Sequence, residues 1–127
     1  MIIHDFLGQH TCDNEEELLR ILSVRAKNKS NDFELCHEEQ YPYLAILVNG
    51  DKACVHYFLN ESDSGHYTYV EENGLSGEGF TTFHIGSEES ETQIENRLVI
   101  PVEKAYIAAK VFFNERKMTT ELLWYAL

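Results

Sequence analysis

Apolar residues recur along this chain at two spacings, and the changes between them mark out the elements. Leu18, Leu19, Leu22 and Ala26 fall at three- and four-residue intervals and predict a first helix. Asp13 or Asn14 is placed to cap it, and Glu15, Glu16 and Glu17 lie where the positive end of the helix dipole favours acids. Residues 28–32 have the composition of a turn, and 32–36 read as a short strand. Residues 43–48 are a compact apolar run that ends on Asn49-Gly50, a strong hairpin signal. The return strand, 52–59, places Ala53, Val55, Tyr57 and Leu59 on one face and Cys54, His56 and Phe58 on the other.

A turn at 60–65 leads to a third strand at 66–70. Two acidic loops follow, a glycine-rich one at 71–79 and a second at 86–91. Between them 80–85 resumes a strand with Thr81, Phe83 and Ile85 alternating. Residues 92–100 end in the strand-like Leu98-Val99-Ile100. Pro101 then stands where proline is tolerated, in the first turn of a helix. Val102, Ala105, Tyr106, Ala109, Phe112 and Phe113 form the apolar stripe of that helix, and 121–125 return as a closing strand. The expected fold class is α+β: a mostly antiparallel sheet meander packed against two helices, in a single domain over 1–127.

Composition narrows the function classes. At 127 residues the chain is long enough for one core, and its 43% apolar content is too high for disorder. No apolar run approaches the ~20 residues of a membrane helix. The first residues lack the pattern of a secretory signal, so a cytoplasmic location is expected. Three cysteines, Cys12, Cys36 and Cys54, are an odd number without CxxC spacing and are expected as reduced thiols.

Charge changes the picture more. Between Lys52 and Arg97 there is no lysine or arginine, yet the stretch holds Glu61, Asp63, Glu71, Glu72, Glu78, Glu88, Glu89, Glu91 and Glu95. Most of the formal net charge of −12 therefore lies on one segment, with Tyr57, His66, Tyr67, Tyr69 and His84 interleaved. Such a surface repels nucleic acid and anionic membranes and attracts a cation, above all a basic protein.

Candidate chemistry is sparse. Cys54 and His56 share a strand face, but two ligands do not make a metal site, and the adjacent Cys36 and His37 point to opposite faces. Leu75-Ser76-Gly77 lacks the strand–turn–helix context of a hydrolase elbow. Gly77-Glu78-Gly79 carries the wrong charge for a phosphate cradle and has no following lysine. No catalytic residue, cofactor or metal is expected. An enzyme using His56, His66 or His84 is the alternative in a different class, and an acidic DNA mimic aimed at a host enzyme is a third reading.

One resemblance gives the acidic segment a role. Val99-Ile100-Pro101-Val102-Glu103-Lys104-Ala105, then Ala108-Ala109-Lys110-Val111-Phe112-Phe113, and finally Leu122-Leu123-Trp124 resemble the first-numbered immunity family of bacterial polymorphic-toxin systems. Its members include partners of contact-dependent growth-inhibition toxins. Pro101, Phe113 and Trp124 fall on the family's helix-starting proline, helix-ending phenylalanine and last-strand tryptophan. The chain departs from the pattern at Met118-Thr119, where a proline is usual, and at Tyr125, where an acid is usual. The resemblance implies a protein that binds the C-terminal domain of a cognate secreted toxin, with no direct nucleic-acid or membrane partner. Glu71, Glu72, Glu78, Glu88 and Glu89 would then face the toxin's cations, with Tyr67 and Tyr69 as aromatic anchors. Pro101, Phe113 and Trp124 are expected to be structural, and loss of the Trp124 ring to cost about 3–5 kcal/mol.

Overall fold

A computed structural model describes residues 1–127 except Ser76, so the Leu75-Ser76-Gly77 reading falls partly outside the described residues. Asn14 opens the first helix, α1 (Glu15–Leu22), its Oδ1 accepting from the Glu17 amide at 2.9 Å while its Nδ2 donates to Glu17 Oε1 at 3.0 Å. The helix stops at Ser23, so Ala26 belongs to the following loop and the buried stripe is Leu18, Ile21 and Leu22. The second helix, α2 (Val102–Glu115), follows Pro101 directly and ends on Arg116 in the left-handed conformation, φ 56°. Pro101 is its N-cap, one position earlier than expected. Ala108 joins Val102, Ala105, Ala109 and Phe112 on the buried face, while Tyr106 and Phe113 flank it half-buried.

The sheet is larger than the sequence pattern suggests. Strands β1 (Ile2–Asp5), β2 (Gly8–Thr11), β3 (Ser30–Cys36), β4 (Tyr43–Asn49), β5 (Lys52–Phe58) and β6 (His66–Tyr69) belong to it, together with β9 (Ile100–Pro101) and β10 (Leu123–Ala126). Their order is β10-β6-β5-β4-β3-β1-β2, with β9 pairing the start of β5, and every pairing is antiparallel. The expected meander is β3 to β6. An N-terminal hairpin extends it on one side and the closing strand β10 on the other. Strand β3 begins at Ser30, two residues early, because Ser30 and Asn31 are buried and paired with Asn49 and Val48. The β4–β5 loop is Gly50-Asp51, one residue later than Asn49-Gly50. Gly50, φ +62°, holds the first central position, where tight hairpins favour glycine.

Strands β7 (Phe80–His84) and β8 (Glu91–Glu95) leave the meander and form a separate two-stranded hairpin. Residues 98–100 are correspondingly not one strand. Asn96–Leu98 is a single 3-10 turn, and only Ile100–Pro101 pairs with β5.

The two faces of the sheet are covered differently. Helix α2 packs over β4 and β5, and α1 packs against α2. Phe33, Leu35, Leu44, Ile46, Val55, Tyr57 and Phe112 anchor the core between them. Burying side chains of this size stabilises the fold by about 1.5–3 kcal/mol each. On the opposite face the β7–β8 hairpin packs over part of β3 and β4 around Leu47, Cys54, Phe83 and Val99. Leu59, expected on the core side of β5, lies beyond the strand's end and is 55% exposed; Ile85, expected to alternate with Phe83, is 50% exposed. Among the described residues no helix is long and apolar enough to cross a membrane.

Candidate functional site

The acidic segment is organised around the β7–β8 hairpin. Ile94 packs inward on the small apolar cluster, so Glu91, Gln93 and Glu95 face outward along β8. The loop carrying Glu71, Glu72 and Glu78 precedes β7, and the turn carrying Glu88 and Glu89 joins β7 to β8. All five of these candidate glutamates are exposed. They do not form one cluster, because the two loops lie at opposite ends of a five-residue strand, about 17 Å apart. Glu91 and Glu95 lie between them on the hairpin's outer side, separated by the neutral Thr82–Gln93 pair, so the acids form an interrupted ridge along the hairpin. Arg97 interrupts it at one end: its Nε donates to Glu95 Oε2 at 2.5 Å and its guanidinium lies 4.8 Å from the Tyr125 ring centroid. Glu71, Glu72 and Arg97 also border a surface cavity of about 480 Å³.

Polar side chains stitch the hairpin to the sheet. Asn49 Nδ2 donates to the Thr82 carbonyl at 2.9 Å, and the Gly86 amide donates to Asp32 Oδ2 at 2.8 Å. Asn28 Nδ2 reaches the Glu88 carbonyl at 3.1 Å, and Asn73 Nδ2 donates to the carbonyls of Asn96 and Val99. The glutamate carboxylates are thus presented by a backbone that is held from behind.

Tyr67 and Tyr69 lie off the ridge. They share one face of β6, the side that carries the hairpin, and Tyr67 stacks on His56 with ring centroids 3.9 Å apart. Tyr69 leads into the loop of Glu71 and Glu72. The three histidines of the enzyme reading are dispersed. His56 is on the hairpin side of the sheet, His66 pairs with Tyr57 on the helix side, and His84 pairs with Glu91 on the outer side of the hairpin. Among the described residues no three metal-ligating side chains converge. The three thiols are free, and desolvation pushes Cys54 up to about 12, so it packs as an apolar residue.

A second feature had no signal of its own in the sequence. The hairpin covers only part of its sheet face, and the strand register aligns His4, Glu34, Ala45, His56, Tyr67 and Tyr125 in one row across six strands. Ala45 is the small member, so the row dips there. A pit of about 190 Å³ opens over it, walled by Asp32, Glu34, Tyr43, His56 and, on the hairpin, Ile94. His56 is wedged between Phe58 and Tyr67, each ring 3.9 Å away, with Nε2 at 3.3 Å from the Ser64 carbonyl. Burial lowers its pKa. Gly65 fixes this wedge: at φ +97°, a Cβ there would come 2.0 Å from His56 Nε2. Asp63 secures the turn by accepting from the amides of Leu59 and Gly65, which hold its carboxyl below the usual range. Burial raises the Asp32 carboxyl.

Pro101, Phe113 and Trp124 lie at the start of α2 and at the border of the core. Trp124 meets Tyr57 edge-on at 6.3 Å and donates from Nε1 to the Thr119 carbonyl at 2.9 Å. Comparison with protein-family models gives no match, and comparison with curated proteins gives none.

Proposed function

We propose that this chain is an immunity-type inhibitor, a cytoplasmic protein that binds and neutralises a cognate secreted toxin domain acting on nucleic acid. The observation that carries the reading is the acidic ridge. Seven glutamates from a stretch without lysine or arginine occupy one hairpin, its connecting turn and the loop before it, where their charges add toward solvent rather than being buried. A nuclease or nucleic-acid deaminase needs a cationic cleft for its substrate, and a rigid row of carboxylates offers that cleft a competing partner. Complementary fields of this kind accelerate association, which suits an inhibitor that must reach its target before the target acts. The resemblance around Pro101, Phe113 and Trp124 supports the same reading from the segment that follows the hairpin.

The test is co-expression with the C-terminal toxin domain encoded in a neighbouring reading frame, followed by binding measurements on E88K/E89K and E71K/E72K pairs. Both pairs are exposed, so folding should change by no more than ~0.5 kcal/mol per site. Association should slow about tenfold or more at low salt, with a weaker salt dependence than the parent. Pairs that bind as fast and as tightly as the parent at every salt concentration would refute the ridge as the toxin-facing surface.

A further inference from the structure

The pit over Ala45 has a chemistry distinct from the ridge. Its walls include two carboxylates and the rings of Tyr43, His56, Phe58 and Tyr67, with no lysine or arginine among the described residues that line it. Its volume, about 190 Å³, is room for about six waters at ~30 Å³ each, the bulk of one long side chain. Asp32 and Glu34 stand two residues apart on the same face of β3, with their Cα atoms about 7 Å apart. Oδ2 of Asp32 is taken by the Gly86 amide, whereas its Oδ1 and the whole Glu34 carboxylate have no hydrogen-bond partner among the described residues. Tyr43 and Phe58 stack on each other at 4.5 Å with an interplanar angle of 21°, and both line the pit beside the acids.

We propose that this pit is the receptor for one arginine side chain presented by a partner protein. A guanidinium is a planar fork of five N–H donors, able to bond two carboxylates at once, whereas an ammonium is a point charge. It is also weakly hydrated enough to leave water for a half-buried site. The hairpin supplies Ile85, Thr92 and Ile94, uncharged walls that suit the methylene stem. His56 adds no competing charge at neutral pH, because its burial favours the neutral ring. This inference rests on the inhibitor reading only for the identity of the protein that presents the arginine.

The experiment is an amide NMR titration of the full chain with N-acetyl-arginine-methylamide, repeated with the lysine analogue and with free L-arginine. Saturable shifts are expected at Glu34, Ala45, His56 and Tyr67, with millimolar affinity for the capped arginine and about tenfold weaker binding of the lysine analogue. Glu34→Gln should weaken binding about tenfold, since it removes a charged acceptor from an exposed site without disturbing the core. Ala45→Leu should abolish binding by filling the floor. Shifts confined to the ridge loops, equal affinity for the lysine analogue, or unchanged affinity in both variants would each overturn the proposal. Free L-arginine binding tenfold tighter than the capped form would overturn the protein side chain as its source. The two readings fail separately: loss of the titration leaves the E88K/E89K effect on toxin association intact, and the absence of any toxin partner leaves the titration intact.

Discussion

The two faces of the sheet are built on different principles. Among the described residues, twenty buried ones form the apolar cluster on the helix side, whereas four form the cluster under the β7–β8 hairpin. The helix face therefore supplies most of the folding free energy, and the hairpin face depends on side-chain amides and one carboxylate reaching backbone groups. Each such bond contributes about 0.5–1.5 kcal/mol. One side of the molecule is a foundation; the other can carry uncovered acids, a pit and a half-buried histidine without risking the fold.

The largest expected effects set the two faces against each other. Phe112→Ala should cost about 3–5 kcal/mol and lower the global denaturation midpoint, because Phe112 is fully buried between α2 and the sheet. Phe83→Ala removes a ring of the same size, also fully buried, but beneath the hairpin. It should undock β7 and β8 locally, with a drop in the global midpoint of about half as much or less. Hydrogen exchange separates the outcomes: the Phe83 variant should lose protection at 80–95 while β3, β4 and β5 keep theirs. Equal loss of protection across both sheets would show that the hairpin is part of one cooperative core.

A smaller effect is expected at the edge of the helix face. Trp124 is only half-buried, on a strand paired on one side, so water can enter the space its ring vacates. Trp124→Ala should cost about 2 kcal/mol, below the 3–5 expected for a sealed core position, and Trp124→Phe should recover part of it. Thermal denaturation of the two variants measures the difference.

The smallest effect is the dependence on pH. His37, whose Nε2 lies 3.0 Å from the Phe113 carbonyl on the helix side, and His56 on the hairpin side both have pKa values lowered by burial. As pH falls below the ordinary histidine value of 6.5, the unfolded chain takes up protons at these sites before the folded chain does. Stability should therefore decline through the window between that value and the lowered folded ones. Asp32 acts in the opposite sense: its raised folded pKa means protonation stabilises the fold as pH drops toward 3.8. Denaturant midpoints measured from pH 7 to 4 on His37→Gln and His56→Gln should each lose part of the first decline. A flat profile for the parent would remove both contributions.

What the sequence revealed follows the same division. The apolar period of α2, the alternation of Ala53, Val55 and Tyr57, and the glycine of the β4–β5 hairpin report burial against a large core, and each was legible. The polar strand Gly8–Thr11 and the strand Glu91–Glu95 were not. Their extended state comes from pairing with Ile2–Asp5 and Phe80–His84, and a partner strand leaves no periodicity in residues that stay exposed. The acidic composition was visible, but not that its two loops lie at opposite ends of a hairpin joined by Glu91 and Glu95. The pit was hidden for another reason. Glu34, Ala45 and His56 come from three strands, and only the register places the small residue between the acid and the ring.

The contact between Gly65 and His56 bears on how this chain can diverge. A methyl group at position 65 has no room while an imidazole occupies position 56, and the backbone there already favours glycine over any L residue. The constraint runs one way: His56 can give way to a smaller side chain while Gly65 stays, but Gly65 is tied down twice, by the ring beside it and by its own backbone. In a set of homologous chains position 65 should therefore hold glycine even in lineages that have lost the histidine at 56.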